Sequence, residues 1–129
     1  MKQFITFTTL LVSVFIHAQT NYDQGMQQAF QLWGANEQTK ASNLFERIAG
    51  AESDNWLPPY YAAQINITSS FGEIDQETLT QKLSKAQDFI NDATAISKDN
   101  PEIMVLQAML HTAWVVYDGA TYGRALSGK

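Results

Sequence analysis

Two stretches of this chain share one plan, and that plan constrains the fold more than any other feature. Asp54-Asn55-Trp56-Leu57-Pro58-Pro59-Tyr60-Tyr61-Ala62-Ala63 has an echo in Asp99-Asn100-Pro101-Glu102-Ile103-Met104-Val105-Leu106-Gln107-Ala108. Each follows an apolar helical pattern and opens another through proline. Such repetition marks a helix-turn-helix unit, which cannot bury its apolar face alone and is stable only when stacked on its neighbours.

The apolar spacing predicts an all-α chain of about five helices. Tyr22, Met26, Ala29, Phe30 and Trp33 fall three and four residues apart, on one face of a first helix. Gly34 and Asn36 end it. Ala41, Leu44, Phe45, Ile48 and Ala49 give a second helix, antiparallel to the first because the link is short. A third starts near Pro58 or Pro59, since proline is tolerated in a first turn where its missing N–H has no partner. Asp75 is the expected N-cap of a fourth, along which Leu79, Leu83, Ala86, Ile90 and Ala93 form an amphipathic seam. A fifth runs from about Pro101 to Tyr117. No run alternates apolar and polar residues long enough for a strand.

The fifth helix is apolar on nearly every side, the pattern of a helix buried all round. Three readings account for its cover. Residues 117–129 fold back as a partial sixth helix, the surface meets another chain, or the chain is a fragment that continues past Lys129. The first and third are favoured, since a large exposed apolar patch is uncommon on a monomer.

At 129 residues the chain has room for one domain, and 45% hydrophobic content fits a globular one. Its formal charge is -5, from 8 Lys and Arg against 13 Asp and Glu. An acidic chain without a basic cluster argues against nucleic acid and against an anionic membrane surface. Residues 1–18 read as a secretory signal peptide: Lys2 gives the positive start, Phe4 to Ile16 the apolar run, and Ala18 the residue before the cut. The run is too short for a spanning helix, which needs about 20 apolar residues, so a retained anchor is the weaker reading. The mature domain is then 19–129, exported to the periplasm or secreted, with no membrane span. With no cysteine, it has neither a disulfide nor a lipid-bearing thiol.

The pairs of helices resemble tetratricopeptide repeats, a family of helical hairpins with a period of about 34 residues. Ala29 and Ala63 match the family's small residue where the helices of a hairpin press together, and they lie one such period apart. Ala108 matches after a longer step, which places an inserted loop or a lengthened helix end at Thr68 to Glu77. Ala41 with Phe45, and more weakly Ala86 with Ile90, resemble a second signature. The run Asp92 to Glu102 is similar to a junction between hairpins. The family's tryptophan, leucine and glycine near the start of each first helix are replaced around Gly25, Gln28 and Ala29. The Ala-Gln ending of the signal and the Trp56 to Ala62 segment also resemble small exported repeat proteins of Bacteroidetes-type bacteria. The resemblance implies a short solenoid with hairpins at about 22–50 and 58–97 and a third begun at 101.

It also implies the mode of action, which is binding of a protein or peptide. In the family the first helix of each hairpin lines a concave groove, so Tyr60 and Gln64 on the third helix and Glu102 and Met109 on the fifth face it. Trp33 and Trp56, with Tyr60 and Tyr61, are candidate recognition aromatics. Large aromatics at helical spacing usually bury area, so a core role for Trp33 and Trp56 is favoured. His111 has no nucleophile or orienting partner in the sequence, and reads as a core or edge residue. Asp88 and Asp92 read as solvated face, and Asp99, Asn100 and Glu102 as turn and cap chemistry rather than a calcium loop. Asn66-Ile67-Thr68 spells a glycosylation acceptor but lies inside a predicted helix. No metal or cofactor is expected. The expected function is a non-enzymatic, exported binding or scaffold module of the cell envelope. The alternative is a structural module that self-associates through the 103–117 helix.

Overall fold

The computed structural model describes residues 21–128, and these form six helices. The signal-peptide reading of 1–18 and the question of Lys129 fall outside the described residues. α1 covers residues 21–34, followed by α2 (Gln38–Ala51), α3 (Leu57–Thr68), α4 (Gln76–Ile96), α5 (Pro101–Tyr117) and α6 (Gly119–Leu126). No strand occurs among the described residues.

The helix ends follow from local chemistry. Asn36 takes φ 63°, and the Glu37 and Asn36 amides bond back to Leu32 and Trp33 at 2.9 and 3.0 Å. This is a left-handed cap that satisfies the last carbonyls of α1. Asp75 caps α4 by accepting from the Thr78 amide at 2.8 Å, as its position before the amphipathic seam suggests. Asn100 caps α5 by accepting from Glu102 N–H, with Pro101 in the first turn.

The start of α3 is capped differently. The Leu57 amide donates to Asn55 Oδ1 at 3.0 Å, Pro58 and Pro59 have no amide hydrogen, and the Tyr60 amide reaches the Trp56 carbonyl at 3.1 Å. Every donor of the first turn is therefore either satisfied or absent. Both prolines are buried, which places the mouth of this helix inside the molecule without stranding a donor.

α3 is the central element, packed against α2, α4 and α5. Its buried residues include Ala62, Ala63, Ile65 and Ile67, each 1% exposed or less. Ala29, Ala41, Ala86 and Ala93 are fully buried on the neighbouring helices, and small side chains at crossings let backbones approach. Gly25 serves the same end on α1, where an added Cβ would lie 3.3 Å from the Ile48 side chain of α2. Buried Asn66 donates to Ser42 Oγ at 2.9 Å and to the Ala62 carbonyl at 2.7 Å, which ties α3 to α2 without an unpaired polar atom. The segment expected to hold extra length, Thr68 to Glu77, is a loop from Ser69 to Asp75 that leads into the start of the 21-residue α4. Gly72 turns that loop with φ +84°. Lys82 holds it down, donating to the Ser69 carbonyl at 2.9 Å and to Glu73 at 3.0 Å.

Two expectations need correction. The count is six helices rather than about five, because 119–126 folds as a short helix capped by Asp118 despite Gly119 and Gly123. And α5 is not buried all round. Ile103, Leu106, Leu110 and Ala113 face inward, while Met104, Val105 and Val116 remain 59–65% exposed. The reason is the size of α6. It meets α5 through Trp114 and Tyr122, whose ring centroids are 4.9 Å apart, but it has no buried residue of its own and leaves the opposite face of α5 open.

Candidate functional site

An aromatic band crosses the molecule from α1 over α3 toward α5. Phe30 meets Tyr61 edge-on at 4.7 Å, Tyr61 meets Tyr60 at 5.1 Å, and Tyr60 meets Trp56 at 5.5 Å. Below it lies Phe45 of α2, fully buried, in contact with Phe30, Trp33 and Tyr61 at 5.2, 6.2 and 5.6 Å. Edge-to-face and stacked pairs of this kind add stabilisation beyond the area they bury.

The outward face of α3 is set by its helical phase. Pro58, Ala62, Ile65 and Asn66 point inward, which leaves Leu57, Tyr60, Tyr61, Gln64 and Thr68 as a half-buried stripe. Beside that stripe an open groove of about 610 Å³ runs between α1 and α3, lined by Tyr22, Asp23, Met26, Phe30, Leu57 and Tyr61, among others. The charge of Glu102, at the start of α5, acts on the Tyr60 phenol. Burial first and Glu102 second hold the Tyr60 hydroxyl in its protonated form to higher pH than usual. Burial likewise raises Tyr22, opposed by a hydrogen bond with Asn55 and reinforced by the charges of Asp23 and Glu52.

The residues singled out in the sequence divide between surface and core. Tyr60 and Gln64 lie on the half-buried stripe of α3, and Glu102 is exposed in the first turn of α5. Met109 and Trp56 are half-buried against the core. Trp33 turns toward Phe45, stacks on Phe30 at 6.5 Å, and belongs to the rim of the core. His111 stands apart from this face, 3.0 Å from the Gln107 amide nitrogen. Asp88 and Asp92 are exposed on α4. Among the described residues no group of three or more His, Cys, Asp and Glu is placed to hold a metal ion.

No family model, curated protein or solved structure matches this chain.

Sequence reasoning missed Tyr22, Asp23, Phe30 and Leu57 as lining residues. Tyr22 and Phe30 were visible as members of the first helical pattern, but their side of that helix is decided by where α3 packs. No helix among the described residues is long and apolar enough to cross a membrane.

Proposed function

We propose that this protein is an exported, non-enzymatic helical-repeat module that binds an extended segment of a partner protein across the face formed by α1, α3 and α5. The observation that carries this is the half-buried stripe Leu57, Tyr60, Tyr61, Gln64 and Thr68 bordering the α1–α3 groove. Aromatic residues that are half-open and rigidly supported are the type that dominates recognition surfaces. The packing order agrees with a tetratricopeptide-like stack. α3 touches the helix before it, the helix after it and α5 two places on, as the first helix of a middle hairpin does. Export rests on the composition of residues 1–18, and N-terminal sequencing of the secreted or periplasmic form should begin at Gln19 or Thr20.

A photo-crosslinking side chain at Gln64 tests the binding face, with one at Asp88 on α4 as the control. Incubated with envelope extract, the Gln64 variant should give a discrete adduct that the Asp88 variant does not. Equal labelling from both positions, or none from Gln64, would sink the reading.

The open side of α5 favours a second reading, self-association as a structural module through Met104, Val105 and Val116. Light scattering over a concentration series decides it. A strict monomer at high concentration removes this alternative.

A further inference from the structure

One wall of the α1–α3 groove is built from two adjacent rows of α1. Tyr22, Met26 and Phe30 form the first row, and Asp23, Gln27 and Gln31 form the second. Within each row the residues stand four apart, so they share one side of the helix at steps of about 6 Å along its axis. The first row presents rings and a thioether, the second polar groups. The two rows are turned from one another by about 100° around the axis. Leu57 and Tyr61 of α3 form the opposite wall.

Asp23 is the one charged side chain among the lining residues, and it already has a partner. A charged group seated in this groove would give up water and gain no counter-charge. Gln27 and Gln31 are exposed, and their side-chain amides make no hydrogen bond with another described residue. Each amide carries a donor and an acceptor, the complement of the N–H and C=O of one residue in an extended chain. In such a chain the residues that turn these groups to the same edge recur at every second position, about 6.4–6.8 Å apart. The step of about 6 Å from Gln27 to Gln31 is close to that repeat. The side chains of an extended segment stand roughly perpendicular to that edge and alternate with the same period. Met26 and Phe30, in the neighbouring row, repeat at the step those side chains need.

Taking this groove as part of the docking face proposed above, we propose that its occupant is an uncharged, extended segment of a partner polypeptide, held by its main chain. Gln27 and Gln31 bond to the backbone of every second residue, and alternate apolar side chains lie over Met26 and Phe30. From Asp23 to Gln31 α1 rises about 12 Å, the length of about four residues of extended chain. Main-chain bonds supply affinity in such recognition, and the alternate side chains supply selectivity.

Selection of a random linear-peptide display library on the purified protein tests this. The enriched peptides should be uncharged, with apolar residues at alternate positions. Replacing each peptide bond of a selected peptide by an ester in turn removes one N–H and leaves every side chain in place. Esters at two positions, two residues apart, should each weaken binding about tenfold in a fluorescence anisotropy titration, and an ester between them should not. Gln27→Met and Gln31→Met should each weaken the parent peptide by a similar factor, and each should abolish the effect of one ester. Gln28→Met, on the same helix outside the groove, should change neither. Circular dichroism checks that each variant is folded. Enriched peptides whose binding requires Lys, Arg, Asp or Glu would overturn the uncharged assignment. Binding that ignores both the esters and the glutamine substitutions would overturn main-chain recognition. In both cases a crosslinked adduct at Gln64 leaves the docking face standing. Capture of neutral oligosaccharides instead of peptides, lost in Gln27→Met, would overturn the choice of a polypeptide. Neither an enriched peptide nor a Gln64 adduct would remove the inference and the docking face together.

Discussion

Gln87 on α4 and Gln107 on α5 bind amide to amide, each donating to the other's oxygen over 2.8 Å. The Gln107 amide nitrogen also lies 3.0 Å from His111 Nε2. This exchange is a specific polar link between the second and third pairs of helices. A double-mutant cycle with Gln87→Ala and Gln107→Ala should give a coupling of about 1 kcal/mol in urea unfolding. Additive effects would show that the pair does not hold α4 to α5.

Phe45 is fully buried and in ring contact with Phe30, Trp33 and Tyr61. Phe45→Ala should cost about 3–5 kcal/mol, measured as the fall in the denaturant midpoint at constant slope. Ile74, an equally apolar residue that is 91% exposed, is the contrast. Ile74→Ser should change stability by less than about 0.5 kcal/mol. A large effect at Ile74 would mean that the 69–75 loop is packed more tightly than described.

Pro59→Ala replaces a poor helix former with the best one and should nonetheless destabilise. It returns an amide hydrogen to a buried first turn whose nearest cap, Trp56, has no side-chain acceptor. An unpaired buried donor costs about 1–3 kcal/mol. Calorimetry of Pro59→Ala beside a Thr80→Ala control on exposed α4 separates this cost from general helix propensity. An unchanged or raised Tm for Pro59→Ala would refute it.

Titration should narrow stability from both ends. The Lys82 hydrogen bond holds Glu73 below the ordinary carboxylate range, and bonds from Thr78 and Thr121 do the same for Asp75 and Asp118. A lowered folded pKa contributes stability that is present above the unfolded value and is lost as pH falls through the folded one, here below about pH 4. Lys82→Met should flatten the Glu73 part of that acid limb. Tyr22 and Tyr60 are raised, so folding favours their protonated form, and stability falls as pH climbs past about 10. Phenolate absorbance should show late-titrating tyrosines in the folded protein, and Glu102→Gln should bring one of them earlier.

Most of the fold was legible because helices announce themselves locally. Asp75 before an amphipathic run, Pro101 after Asn100, and Asn36 after Gly34 are each interpretable without knowing what packs where, and each lies at a helix end in the structure. α6 was visible only as a possibility, since Gly119 and Gly123 weaken its pattern. The open face of α5 was hidden for a different reason. Periodicity shows which residues are apolar but not whether a neighbour is long enough to cover them. Tyr60, Gln64 and Glu102 came from the resemblance to a repeat family, in which the first helix of each hairpin lines a groove. Phe30 and Asp23 depend on the rotation of α1 about its own axis, which is fixed by Gly25 seating against Ile48 and by the contact of Phe30 with Tyr61.

Lysine and arginine on α2 and α4, at Lys40, Arg47, Lys82 and Lys85, are matched on the same helices by Glu46, Glu77, Asp88 and Asp92. The two helices are neutral as a pair, and a charged chain passing beyond a Debye length, roughly 8 Å at physiological salt, is neither drawn to them nor turned away.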